Sequence, residues 1–221
     1  MAFIELKQVS FFYPGKKEPV LNSVSHSFDK DGITAVVGPN GSGKTTLTKI
    51  MVGIAQPNSG EVFLDSLPLK KYSLAEIGRR IGYVFQNPSH QLFCTTVEEE
   101  IGFGLKHLGK EPEAVKKKVE FYLDYFELSV YKNVFPLRLS YGEKQRVAIA
   151  AVLANSPDFC ILDEPTVGLD VYRKRLLENY LKKVVRLSSG LLIVSHDHNF
   201  VKRIADRVVR MENGQVQEVS G

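Results

Sequence analysis

The stretch that most constrains this 221-residue chain is Gly38-Pro39-Asn40-Gly41-Ser42-Gly43-Lys44-Thr45, a full G-x-x-x-x-G-K-[ST] pattern. It follows the apolar run Ile33–Val37 and precedes Lys44–Val52, which reads as a helix, so the strand, turn and helix that a phosphate loop requires come in order. Glycines let successive backbone N–H groups turn towards one anion, and the helix N-terminus adds partial positive charge. Lys44 is placed to reach the β- and γ-phosphates of a nucleotide, and the Thr45 hydroxyl to ligate Mg²⁺. A glycine-rich turn without a ligand is the bland reading, and the complete motif in its complete context outweighs it.

Two further segments carry chemistry. Phe159-Cys160-Ile161-Leu162 is an apolar strand ending in Asp163-Glu164. In an open parallel sheet, ligands bind at the carboxyl ends of the strands. Asp163 is therefore expected to hold Mg²⁺ through water. Glu164 points to the other side and can polarise an attacking water. Leu139-Ser140-Tyr141-Gly142-Glu143 opens a helix that runs to Ala154 and ends before Pro157. Ser140 and Glu143 have capping-box spacing, and a helix start with serine and glycine also suits a phosphate. The residues alone leave open whose phosphate that is.

The surroundings are consistent with a compact α/β protein. Strands are expected over Phe3–Phe12, Val20–Phe28, Glu61–Leu64, Leu191–Ser195 and a hairpin, Val208–Met211 and Gln215–Val219, around Asn213-Gly214. Helices are expected over Glu111–Tyr125, Tyr172–Arg186 and Asn199–Asp206. Short apolar strands alternating with helices imply a mainly parallel sheet covered on both faces, preceded by an antiparallel β part. The helical middle is then an insertion, dividing the chain into residues 1–86, 87–157 and 158–221. Composition excludes a fibrous or disordered chain, with 43% hydrophobic and 24% charged residues. No apolar stretch approaches the roughly 20 residues of a membrane-spanning helix, and the first residues lack a signal-peptide core. Cys94 and Cys160 are too few for a disulfide framework, which fits a cytosolic protein. The net charge of +4 does not call for nucleic acid, and Arg173-Lys174-Arg175 with Lys182, Lys183 and Arg186 reads as a solvated helix face. Adjacent Ser195-His196-Asp197 cannot form a relay, because their side chains diverge. His26, His90, His107 and His198 have no metal-ligand spacing.

Taken together, these pieces resemble the nucleotide-binding subunits of ATP-binding-cassette (ABC) transporters over essentially the whole chain. The order is Tyr13, Gly38–Thr45, Gln86 after an apolar strand, Leu139–Glu143 followed by Lys144-Gln145-Arg146, Asp163-Glu164, Val167-Gly168-Leu169-Asp170, and His196. Phe12-Tyr13-Pro14-Gly15, Gln86–Phe93 and Thr96–Gly104 further resemble the ATPases of energy-coupling-factor (ECF) vitamin importers and of related cobalt and nickel importers. The resemblance implies the ABC ATPase fold, a P-loop NTPase core with an inserted helical subdomain. ATP and Mg²⁺ are the implied ligands. Tyr13 would stack on adenine, and Gly38 to Thr45 with Thr46 would bind the phosphates. Thr45, Gln86 and Asp163 would serve the metal, and Lys44, Gln86, Glu164 and His196 would serve hydrolysis. Ser140, Gly142 and Glu143 would complete the nucleotide site of a second subunit, head to tail, and Asp170 would link the two sites.

The implied partners are a second ATPase, an integral membrane coupling subunit and a substrate-binding membrane subunit, with this chain peripheral on the cytoplasmic side. Two departures stand out. Tyr141 replaces the usual glycine, and Glu143 the common glutamine, so the composite site this helix completes is expected to be the weaker half of an asymmetric heterodimer. The chain also ends soon after the hairpin, where many of this subgroup continue, so dimer contacts are expected to depend on nucleotide or membrane subunits. A soluble ABC ATPase acting on nucleic acid or ribosomes is the alternative, disfavoured by the single cassette without a coiled-coil insertion. Another class of ABC importer also remains open at this point.

Overall fold

Alternating apolar residues in the first third and unbroken apolar runs later in the chain build two different sheets. A computed structural model of the chain describes residues 2–186 and 190–219. β1 (Ala2–Phe11), β2 (Leu21–Asp29), β4 (Ser59–Leu64) and β5 (Leu67–Pro68) form an antiparallel sheet in the order β2-β1-β4-β5. The second sheet contains β3 (Ile33–Val37), β6 (Ile81–Val84), β7 (Phe159–Asp163), β8 (Gly190–Val194), β9 (Arg207–Glu212) and β10 (Gln215–Val219). Its order is β10-β9-β3-β8-β7-β6, and every pairing is parallel except the terminal β9–β10 hairpin.

The parallel strands read as continuous apolar runs because both of their faces are covered. On β7, Phe159 and Ile161 face a core shared with Phe3, Phe28 and Leu47. Cys160 and Leu162 face the other core, with Ile149, Leu177 and Phe200. β8 divides in the same way, Leu192 and Val194 to the first core and Leu191 and Ile193 to the second. α1 (Lys44–Met51) lies on the first side. The second side is covered by α5 (Tyr141–Ala154), α6 (Val171–Arg186) and α7 (His198–Ile204). α3 (Val97–His107) and α4 (Pro112–Tyr125) extend that core through Ile101, Val115 and Val119.

Several boundaries differ from expectation for local reasons. α7 ends at Ile204, because the Asp206 carboxylate turns away to accept the Ile33 backbone N–H at 2.7 Å. Ser140 caps α5 and does not belong to it, and β8 starts one residue earlier and stops before Ser195. α2 (Leu74–Arg80) is an additional helix, opened by a reciprocal cap in which the Ser73 and Glu76 side chains each meet the other's backbone N–H. That S-x-x-E spacing is visible in the sequence and is the signal that finds it.

Ile161 is fully buried between the two layers. Ile161→Ala is expected to cost about 2–5 kcal/mol of unfolding free energy in a urea titration. Val130→Ala, at a site 83% exposed, is expected to stay within about 0.5 kcal/mol.

Candidate nucleotide-binding cleft

β3 runs directly into the glycine-rich turn, and the turn into α1. Two glycines there are required by contact as well as conformation. A methyl group on Gly38 (φ +151°) would fall 2.0 Å from the Met211 carbonyl oxygen, and one on Gly43 (φ +103°) 2.7 Å from that of Val20. The loop is therefore wedged between β9 and the start of β2. Gly214 N–H donates to the Ser42 carbonyl at 3.3 Å, so the terminal hairpin also supports it. Lys44 is 7% exposed. Its ammonium curls back to donate to the carbonyls of Gly38 (2.9 Å) and Pro39 (2.8 Å). The Ser42 hydroxyl is buried with no hydrogen-bond partner among the described residues.

Asp163 and Glu164 leave the end of β7 beside this loop. Asp163 is fully buried, and neither carboxylate oxygen has a hydrogen-bond partner among the described residues. Burial, reinforced by the Glu164 charge, pushes its pKa up to about 6 against the opposing pull of Thr45 and Lys44. An unpartnered buried carboxylate beside a threonine hydroxyl suits a hard cation with oxygen ligands. Among the described residues no cluster of three or more His, Cys, Asp or Glu side chains is arranged to hold a metal by itself. A metal here would therefore need oxygen ligands from a phosphate or from water. Glu164 adopts φ +53°, an uncommon backbone state for a non-glycine residue, and its N–H donates to the Val194 carbonyl at 2.9 Å. This turns its carboxylate towards the end of β8, where Oε2 lies 2.8 Å from His196 Nδ1.

The cleft, of about 390 Å³, is lined by Tyr13, Asn40, Gly41, Gly43, Lys44, Thr45, Thr46, Gln86, Asp163 and Glu164, together with Val20 and Val194. Nothing in an isolated valine of the sequence marks the last two as lining. Tyr13 stands at the rim, 41% exposed, its hydroxyl 3.1 Å from Thr46 Oγ1 and its ring edge-on to Phe11. Gly38, Pro39 and His196 line an adjoining depression with Ser195, His198 and Arg210.

Ser140, Gly142, Glu143 and Asp170 lie outside this cleft. The Glu143 carboxylate is folded back, accepting the Ser140 N–H at 2.8 Å and the Ser140 hydroxyl at 2.7 Å. Tyr131 and Ser140 hold its pKa below the usual value. Asp170 accepts the Arg173 N–H at 2.8 Å at the start of α6 and pairs with the Arg173 guanidinium. The α6 cations are largely partnered, Lys174 with Asp197 (2.7 Å) and Lys182 with Glu178 (3.0 Å). No helix among the described residues is long and apolar enough to cross a membrane.

A phosphate loop on a parallel strand, facing a buried Asp-Glu pair and a histidine from the neighbouring strand, defines an ATP-hydrolysing α/β cassette. The family model described as ABC transporter matches residues 21–167. A Pyrococcus furiosus protein named as an ABC transporter ATP-binding protein is 45% identical over 97% of this chain and 82% of its own length. The energy-coupling factor transporter ATP-binding protein of Methanothermobacter thermautotrophicus is 38% identical over 96% of this chain and 69% of its own. Among solved structures, an ATP-binding cassette dimer in a post-hydrolysis state with ADP and Pi has a TM-score of 0.89 at 27% identity, covering 99% of both chains. The cbiO1 protein of Clostridium perfringens, part of the cbiONQ ABC transporter complex, has a TM-score of 0.83 at 30% identity, covering 98% of this chain and 87% of its own. The chain belongs to the ABC transporter ATP-binding family, and it is an ATPase.

The buried Asp163 also has a consequence for stability. Its carboxyl titrates at about 6 when folded and at 3.8 as an ordinary aspartate, so the folded chain holds the proton more tightly. Without nucleotide, stability falls as pH rises from about 4 to 6, by about 3 kcal/mol in all. Asp163→Asn is expected to melt higher than the parent chain above pH 6, and the difference to vanish below pH 4. Thermal unfolding across pH 4–7 without magnesium or ATP checks this.

Proposed function

We propose that the chain is the ATPase of an ECF-type importer for a vitamin or for cobalt or nickel, acting as half of a head-to-tail dimer. The observation that carries the dimer is the division of the site. Lys44, Asp163 and Glu164 share one cleft, whereas Ser140 and Gly142 stand outside it at the start of α5. Ser140 is exposed there, and the Glu143 carboxylate closes onto its N–H and hydroxyl, so a phosphate arriving at this helix N-terminus takes over bonds that the carboxylate now makes. That end suits the γ-phosphate of an ATP bound by a second subunit. The names of the Methanothermobacter relative and of the cbiONQ cassette support the importer class. The partners are then a paralogous second ATPase, an integral membrane coupling subunit and a membrane subunit that binds substrate. The chain would sit on the cytoplasmic face of the membrane.

Within the cleft, ATP binding exchanges partners for Lys44, from the carbonyls of Gly38 and Pro39 to phosphate oxygens. Tyr13 gives up its hydroxyl contact with Thr46 and stacks on the adenine face. Thr45, Asp163 and Gln86 would hold a magnesium ion that accompanies ATP, and such an ion would offset charge on the phosphate oxygens. Glu164 accepts a proton from the attacking water as general base. His196, held against Glu164 at 2.8 Å, orients that carboxylate and contacts the γ-phosphate. Asp170, at the end of the loop that follows β7 and just before α6, communicates between the two sites.

Gentle purification from native membranes tests the importer class. A second ATPase and a small membrane binding protein are expected to co-purify, and a periplasmic-type receptor or a pair of large permeases would overturn the ECF reading. Glu164→Gln is expected to lower kcat by about 10²–10⁴ while ATP still binds. Ser140→Ala is expected to lower hydrolysis by the assembled dimer and to leave nucleotide affinity of the isolated chain unchanged. Unchanged hydrolysis would remove the role given to α5.

A further inference from the structure

Tyr141 is the first residue of α5, and its side chain turns back across its own chain. Its hydroxyl donates to the main-chain carbonyl of Gln86 at 2.6 Å. Its ring lies on Gly168, where an added methyl group would fall 2.6 Å from Tyr141 Cδ1. The contact continues at the next residue, since a methyl on Gly142 would fall 2.3 Å from the Gly168 carbonyl oxygen. Gln86 and Gly168 belong to different loops. One follows β6 and contributes Gln86 to the lining of the cleft; the other follows β7 and the Asp163-Glu164 pair. One side chain thus joins both loops at the carboxyl edge of the sheet to the helix end that lies outside the cleft. Partial burial and the nearby Glu164 charge raise the Tyr141 pKa, which keeps the phenol protonated as a donor.

We propose that Tyr141 is a positioning residue, a tether through which the loading of this chain's own cleft sets the placement of the α5 start. The proposal rests on reading that start as the end that meets a second subunit's nucleotide. Gln86 lines the cleft while its carbonyl holds Tyr141, so a shift of the Gln86 backbone must either carry α5 with it or break the bond. Glycine at position 141 could make neither the hydroxyl bond nor the ring contact. A tyrosine here trades freedom of the helix start for a fixed connection to the hydrolytic loops. A neutral hydrogen bond of this kind biases an equilibrium by about two- to tenfold.

Tyr141→Phe removes the hydroxyl and keeps the ring over Gly168, so the fold is retained. In the assembled dimer, kcat for ATP is expected to fall about two- to tenfold with KM unchanged, and the melting temperature of the chain to fall by no more than about 5 °C. Hydrogen exchange on adding ATP and magnesium supplies the second readout. In the parent chain residues 84–88 and 141–145 are expected to respond together, and in Tyr141→Phe only residues 84–88. An unchanged kcat, a change confined to KM, or an equal response of residues 141–145 in both chains would overturn the tether. Ser140→Ala, measured alongside, separates the two failures. If it lowers hydrolysis and Tyr141→Phe does not, only the tether is lost; if neither does, the reading of α5 falls with it.

Discussion

The parallel pairing of β3, β8 and β7 is the constraint on which the rest of the molecule depends. Because both faces of these strands are buried, polar groups can emerge only where the strands end. Three consecutive neighbours in the sheet therefore deliver the phosphate loop, Ser195-His196 and Asp163-Glu164 to one edge. Fixing the register of β7 against β8 through Leu162–Ile193 and Asp163–Val194 sets the height at which the carboxylates appear. A one-residue slip would exchange the core faces of the whole strand, so apolar packing on two sides also fixes the chemistry at the edge.

The charges gathered there meet different fates. Lys44 and Glu164 are satisfied internally, by loop carbonyls and by His196, whereas Asp163 is buried without such a partner. Burying an unpaired carboxylate is unfavourable, and it persists here because the surrounding sheet is held by two cores. The cleft thus combines groups that must exchange partners when a nucleotide enters with one that has none to lose. That combination favours a charged, phosphate-bearing ligand over an apolar one.

Much of this was legible from the chain because it is written in consecutive residues. The phosphate loop, the carboxylates closing an apolar strand and the Ser140–Glu143 cap each depend on local geometry, so their spacing carries the meaning. The apolar run Phe159–Leu162 likewise announces a strand covered on both faces. α2 is weakly marked although Ser73 and Glu76 signal its start, because its seven residues bury little more than Ile77 and so carry no apolar periodicity. Val20 and Val194 could not be recognised as cleft residues, since only the folded chain brings them to Gly43 and Glu164.

The sequence by itself determined the class of protein, the phosphate-binding turn and the identity of the residues at the strand ends, because backbone conformation and capping act over a few residues. The tertiary structure alone decided how these pieces face one another. Glu164 meets His196 across a gap of 32 positions, and Tyr141 meets Gln86 across 55. Glu143 could have pointed towards a phosphate or back to its helix, and the structure resolves it by the hydrogen bonds to Ser140. Such contacts depend on strand order and on helices packing over a common sheet, and no local spacing encodes either.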